Sequence, residues 1–313
     1  MKLSGAIAFL LPALAMGAEH YLFSSFRGNG ETGVYFAHST DGYQWTPLNG
    51  DQPVVKPQHA GMLMRDPHLA KGPDGWHMVW TTGWTRGKEA GAKLTIGHAA
   101  SADLITWGAQ QLIEISLEGA RNAWAPESVW DAKAKQWIIF WSSTIPGRFP
   151  DTEGTGDTGY NHRVYAITTK DFKTFTEPRL WFDPGFNCID ATLIQTGAKW
   201  TMVFKDERKN PLQKRLRLAT AASPMGPWSG AAEPFTSDWV EGPSVLKVGG
   251  EWLIYFDHYA KPNYYGAYRT TDWKTFEDVS AKIKFPIGQR HGTAVALSDS
   301  DRLVQELGKN RPR

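Results

Sequence analysis

The chain has one cysteine, Cys188, among its 313 residues, so no intrachain disulfide can form. It contains no CxxC pair, no HExxH pair and no glycine-rich loop of the Walker type, which removes the familiar zinc and nucleotide sites. Basic residues are not gathered anywhere. Lys and Arg total 34 against 32 Asp and Glu, and the net charge of +2 is spread along the chain. That argues against a nucleic-acid partner. Past the first residues no apolar run reaches the length of a membrane span, and no long helix is legible. A catalytic thiol at Cys188 would need a basic neighbour; two residues before Asp190, it reads as a small core residue.

Tryptophan, by contrast, is abundant, with 15 residues. Core packing accounts for most of them. The other use of such rings is stacking on the C–H face of a sugar. The N-terminus, MKLSGAIAFLLPALAMGAEH, has a basic Lys2, an apolar run over 6–14 and a small-residue tract with cleavage points after Ala15 or Ala18. This predicts a signal peptide over residues 1–18 and a secreted protein, extracellular or periplasmic, that forms a single domain over 19–313.

Three phrases recur in fixed order. The first is a turn: AHSTDGYQW (37–45), GHAASADLITW (97–107), AITTKDFKTF (166–175), ATAASPMGPW (219–228) and YRTTDWKTF (268–276). The second is a Trp-led apolar strand, as in WHMVWTT (76–82), WIIFWSS (137–143), WTMVFKD (200–206) and WLIYFDH (252–258). The third is a strand that carries an acid at its head: RDPHLAK (65–71), APESVWD (125–131), IDATLIQ (189–195) and EGPSVLK (241–247). Asp66, Glu127, Asp190 and Glu241 are spaced by 61, 63 and 51 residues, and His291 of RHGTAVAL follows 50 later. Five units of about 50–65 residues, each of roughly four strands, predict an all-β, five-bladed β-propeller. Its last blade takes an inner strand from the C-terminus and outer strands from YLFSSF and GVYFAHS, which closes the ring without an open edge.

In a propeller the first strand of each blade lines a central channel. Asp66, Glu127, Asp190, Glu241 and His291 are then expected in register around one funnel. Crowded, desolvated carboxylates push one another's pKa values apart, which yields a proton donor beside a base. A pair of acids across a pocket suits glycoside hydrolysis, by inversion or by retention according to their separation. Taken singly, each acid also has a plain structural reading: a turn cap for Asp66 and Asp190, an ion pair with Arg121 for Glu127. Trp84, Trp124, Glu127, Arg290 and His291 are the expected substrate contacts. Lys205, Asp206 and His258 also fall at strand ends near the funnel, where a surface or inter-blade salt bridge is the plainer reading. The polar, Gly-rich loop 147–163 is a candidate rim.

Taken together, MRDPHLAK, NAWAPESVW, CIDATLI, EGPSVLK and RHGTAVAL resemble glycoside hydrolase family 43, inverting enzymes on a five-bladed propeller, over nearly the whole mature chain. The resemblance implies Asp66 as general base, Glu241 as general acid and Asp190 as a third carboxylate that tunes the acid. It implies that His291 is the axial histidine, which organises water or a structural calcium ion, and that no cofactor is required. Gly242 would allow close backbone approach beside the acid, and Pro243 would fix the chain direction. The sequence departs from the family's pattern at Ala191, where many relatives have proline, and at Glu127.

The expected substrate is a plant-type polysaccharide or oligosaccharide, with α-L-arabinofuranosidase and β-D-xylosidase as leading activities. An exo-acting galactosidase or galactofuranosidase, or a non-catalytic sugar-binding propeller, are the alternatives. A retaining fructan hydrolase would need an Asp-Pro-Asn phrase ahead of RDP, and none is present. The short stretch after residue 298 leaves no room for a carbohydrate-binding module, which predicts a preference for short or branched substrates.

Overall fold

The computed structural model describes residues 20–84 and 93–309. The predicted signal peptide lies outside them. Five antiparallel sheets follow one another around a channel. Blade I contains Arg65–Gly72, Gly75–Thr81, Leu94–Ser101 and Gln111–Ile115; blade II contains Trp124–Asp131, Gln136–Thr144, His162–Thr169 and Arg179–Phe182. Blade III has three strands, Cys188–Thr196, Lys199–Asp206 and Arg215–Ala221. Blade IV contains Val240–Val248, Glu251–His258, Tyr264–Thr270 and Glu277–Asp278. Blade V is the composite one: its inner strand, Gly292–Leu297, pairs with His20–Phe26, which continues to Val34–Ser39 and Thr46–Pro47. Inner strands pack against their neighbours from blade I round to blade V and back to blade I, so the ring is closed.

The Trp-led strands are apolar at almost every position because both of their faces are covered. Side chains alternate across a strand, and here each face meets a different neighbouring blade. Met78 and Trp80 pack with Leu22 and Phe36 of blade V, whereas Val79 joins Trp137, Ile139 and Trp141 of blade II. Ile138 and Phe140 turn the other way, to Met202 and Phe204 of blade III. Val203 meets Ile254 and Phe256 of blade IV, while Leu253 and Tyr255 pack with Phe23 and Trp45 of blade V. Five blade interfaces thus hold five apolar clusters.

The recurring turn phrase is a hydrogen-bonded device. Ser39 and Asp41 side chains accept from the backbone N–H groups of Gly42, Tyr43 and Gln44. Ser101 with Asp103, Thr169 with Asp171 and Thr270 with Asp272 repeat the pattern.

Two features differ from expectation. Blade III lacks a regular fourth strand: Pro224, Pro227 and Pro234 interrupt the segment that would form it, and proline cannot donate to a ladder. Only scattered bonds follow that edge, such as Ser229 N–H to Thr220 and Ala232 N–H to Leu218. A short helix, Arg302–Lys309, packs Val304 onto the interface of blades V and I. Among the described residues no helix is long and apolar enough to cross a membrane.

Candidate active site

The inner strands of blades I to IV share one irregularity. Their pairing to the second strand slips by one residue between Arg65 and His68, Trp124 and Glu127, Ile189 and Thr192, and Glu241 and Ser244. Each slip is a β-bulge, and each has one residue in the left-handed region: Asp66 (φ 50°), Ala125 (φ 45°), Asp190 (φ 55°) and Gly242 (φ 57°). A bulge re-aims a side chain out of the strand's alternation, and here it turns Asp66 and Asp190 into the mouth of the channel.

The bulges also correct the expected register. Aligned on the slip, RDPH, WAPE, IDAT and EGPS are equivalent, and their acids fall at the second, fourth, second and first positions. Glu127 therefore sits where blade I has His68, one layer below the mouth. It is 5% exposed and is not among the residues that line the pocket. There its Oε2 lies 3.3 Å from His68 Nε2, and Thr192 and the Leu193 backbone also bond its carboxylate. The expected substrate contact is thus buried beneath the residues that line the pocket. Burial pushes its carboxyl well above the usual carboxylate range and holds His68 down at about 3.

Above that layer is a pocket of about 350 Å³ lined by Asp66, Asp190, Glu241, Trp84, Trp124, Arg290 and His291, all of them expected. A larger and more open depression, lined by segments 31–35 and 52–63, holds none of the three acids. Asp66 is oriented from two sides. Thr81 Oγ1 donates to its Oδ2 at 2.8 Å, and His291 Nδ1 stands 3.5 Å from its Oδ1. Thr81 is itself fixed, because its hydroxyl accepts from the Ala125 N–H at 2.8 Å. Asp190 Oδ2 accepts from the Gly242 N–H at 3.0 Å. Burial pushes Asp190 up to about 6; His291 and Lys205 oppose that rise, and the charges of Glu241 and Asp66 add to it.

Glu241 is the most open of the three, with 26% of its side chain exposed. Lys205 Nζ lies 3.0 Å from its Oε2 and Arg290 3.3 Å from its Oε1. Burial alone would raise its pKa, but Lys205, Arg290 and His291 outweigh burial and hold it below the usual value. Arg290 also grips Asp257 at 2.5 Å. Gly242 is required here for space: a Cβ on it would stand 2.4 Å from Cγ of the His291 ring.

Trp84 and Trp124 form one wall, edge to face at 5.6 Å, with Trp124 Nε1 donating to the Trp84 carbonyl at 2.7 Å. Part of each ring is already committed. Arg65 stacks on Trp84 at 4.0 Å, and Tyr160 and His162 pack on Trp124. Loop 147–163 thus reaches the wall through Tyr160, which agrees with a rim. Of the remaining strand-end residues, Asp206 is buried and paired with Arg208 and Arg217, and His258 stacks on Tyr264. Neither lines the pocket; Lys205 does. Sequence reasoning missed Asn29, Arg65, Thr81 and Glu207, which line it too. The phrase FKDE (204–207) was the available signal for Glu207, since its strand neighbours the acid-bearing ones.

Among the described residues no group of three His, Cys, Asp or Glu side chains is placed to hold a metal ion. His291 with Asp66 supplies too few oxygen donors for calcium, which takes six to eight. Those two described residues do not by themselves make a protein-held calcium site.

A family model described as a probable glycosyl hydrolase domain, related to glycoside hydrolase family 43, matches residues 17–302. The chain belongs to that family. A curated α-L-arabinofuranosidase of Bifidobacterium longum is 26% identical over 206 residues, which is 59% of this chain and 19% of the relative. The chain thus spans about a fifth of that protein's length. Among solved structures, an α-L-arabinofuranosidase from Lactobacillus brevis superposes with a TM-score of 0.52 at 18% identity, covering 69% of this chain and 72% of that one. The exo-β-1,3-galactanase of Phanerochaete chrysosporium gives 0.58 at 14% identity, over 85% and 61%. At such identities the structural likeness establishes the five-bladed fold alone.

Proposed function

We propose that this family member is a secreted glycoside hydrolase that cleaves plant-type glycosidic bonds with inversion, with α-L-arabinofuranosides as first candidate substrates and β-D-xylosides next. The observation that carries this reading is the convergence of Asp66, Asp190 and Glu241, from three different blades, on one aromatic-walled pocket. Hydrolysis by inversion needs a base that activates water and an acid that protonates the departing oxygen from the other side. Asp66 is the base: its two oxygens are aimed by Thr81 and His291, and the water it activates gives it a proton. Glu241 is the acid and hands its proton to the leaving oxygen. Asp190 holds the peptide that follows Glu241 and supplies a neighbouring charge that favours Glu241's protonated form. Carboxylates and water suffice for this chemistry, so no cofactor takes part.

The arabinofuranoside preference is supported by the named activity of the Bifidobacterium relative. Export is supported by the residue pattern of 1–18, with a single catalytic propeller following from residue 19; N-terminal sequencing of the mature protein tests both. The activity is tested on a panel of nitrophenyl glycosides and defined oligosaccharides that includes arabinofuranosides, xylosides, galactosides and galactofuranosides. Glu241→Gln is expected to cost roughly 10²–10⁴-fold on natural oligosaccharides and far less on nitrophenyl glycosides, whose leaving group departs without a proton. Equal losses on both would remove the acid role. Sugar binding without turnover of any panel member would favour a binding propeller.

A further inference from the structure

The buried cation that faces Glu241 belongs to a chain of alternating charges that the proposed hydrolysis steps do not use. Lys205 is 2% exposed, and its Nζ lies 3.0 Å from Glu241 Oε2 and 2.7 Å from Glu207 Oε2, above the Tyr259 ring at 4.5 Å. The other oxygen of Glu207 is bound by Lys214, also 2% exposed, whose ammonium reaches Asp157 of loop 147–163 at 3.0 Å. Lys209 closes the chain at the surface, 3.3 Å from the same carboxylate.

A general acid must carry a proton, yet Glu241 faces two cations that favour its charged form. Arg290 is about a third exposed and shared with Asp257, so water screens it and an incoming sugar can draw it away. Lys205 is 2% exposed and held between two carboxylates. Its ammonium must therefore be divided between two carboxylates, and the share that Glu207 takes is the share Glu241 escapes. We propose that Lys205 is the positioning residue of the acid Glu241, and that Glu207, by sharing the Lys205 ammonium, sets how readily Glu241 takes up and releases its proton. This rests on the acid role assigned to Glu241 above.

The other groups that face Glu241 are unchanged in the test. Arg290, His291 and Asp190 stand on the inner strands of the two flanking blades or next to them, and Arg65 and Asp66 on that of blade I. Asp257 and Tyr265 face it from the second and third strands of its own blade, and Tyr259 from the segment just after the second. Against that constant background, two neighbouring substitutions should act in opposite senses. Lys205→Met removes a cation, so the Glu241 carboxyl should titrate higher; Glu207→Gln leaves the whole ammonium to Glu241, which should titrate lower. A charge at this range moves a carboxyl by roughly one to three pH units.

The experiment is a ¹³C-carboxyl NMR titration of the full-length protein labelled at glutamate, with the Glu241 signal assigned by its loss in Glu241→Gln. It is run on wild type, Lys205→Met, Glu207→Gln and Lys205→Arg. Movement up for the first variant, down for the second and little for the charge-preserving third is expected. The basic limb of kcat/KM on an oligosaccharide substrate should follow each shift. Movement of both variants in one direction, or of neither, overturns the proposal, since a merely structural role gives no opposed pair. Should Lys205→Met not fold, the downward shift in Glu207→Gln against an unmoved Lys205→Arg decides. The titration is independent of turnover, so it separates this proposal from the acid role. Opposed shifts alongside equal losses of Glu241→Gln on both substrate types would leave the Lys205 coupling standing and remove the acid.

Discussion

Two layers of the same channel carry acids and histidines, yet only one opens to the pocket. The upper layer places Asp66 beside His291 and Glu241 beside Lys205, with an opening to solvent between them. The lower layer places Glu127 beside His68, both buried. Its side chains are spent on stitching blades together. The Ser128 N–H bonds His68 Nδ1 at 3.2 Å, Glu127 takes the Leu193 backbone, and the Ala294 N–H bonds Ser244 Oγ at 2.8 Å. Residue type is therefore no guide to role here. Depth along the strand is, and depth is decided by a bulge.

The largest effect that separates the layers is on turnover. Asp66→Asn keeps the size and one acceptor oxygen but removes the proposed base, and is expected to cost about 10²–10⁴-fold on every substrate, nitrophenyl glycosides included. Glu127→Gln should leave kcat within a factor of about two, because a group of the same size replaces a buried carboxyl that does not line the pocket. Steady-state rates of the two variants on one substrate check both. A loss at Glu127 comparable to that at Asp66 would mean that the lower layer communicates with the reacting atoms.

A second comparison sharpens the bulge itself. The left-handed position is tolerated by Asp66, Ala125 and Asp190, so a positive φ does not by itself demand Gly242. What demands it is the His291 ring, which a Cβ would meet at 2.4 Å. Gly242→Ala should therefore destabilise the fold by about 1–3 kcal/mol through overpacking and displace His291 from Asp66, with a loss of activity. At the equivalent position of blade II, Ala125→Gly relieves a left-handed alanine and should be neutral or stabilising by up to about 1 kcal/mol. Thermal melts of the two proteins check this; similar destabilisation in both would show that φ, and not the ring, governs.

The architecture was legible because it is written in repeats. A strand covered on both faces must be apolar throughout, and a turn held by Ser or Thr with Asp must repeat its side chains, so both leave phrases that survive in order. The split blade was legible for the same reason. What the phrases hid was the slip between strands. Counting acids along the chain placed Glu127 and Glu241 in one register, whereas Pro67, Pro126 and Pro243, with Ala191 in the third phrase, mark where the four phrases align. Read on those prolines, Glu127 falls two residues deeper than Asp66. The missing strand of blade III was also marked by prolines. Arg65, Thr81 and Asn29 carried no such signal: they reach the pocket through pairings across the sheet and between blades, which local sequence does not encode.

The smallest expected effect is in stability, and its sign follows from the lower layer. A carboxyl raised by burial binds its proton more tightly in the folded protein than in the unfolded chain. Between its unfolded value, near 4.5, and its higher folded value, the native state therefore holds more proton, and stability falls as pH rises across that window. Glu127→Gln removes this term and should melt at a temperature that gains on wild type as pH is raised above about 4.5. His68, held at about 3, works in the opposite sense: it contributes stability above its unfolded value near 6.5 that is lost as pH falls toward 3. That loss is common to both proteins, so the difference between their melting curves isolates Glu127. A difference that stays flat from pH 4 to 8 would mean that Glu127 keeps an ordinary carboxylate's affinity for its proton, and that the contrast between the two layers is not electrostatic.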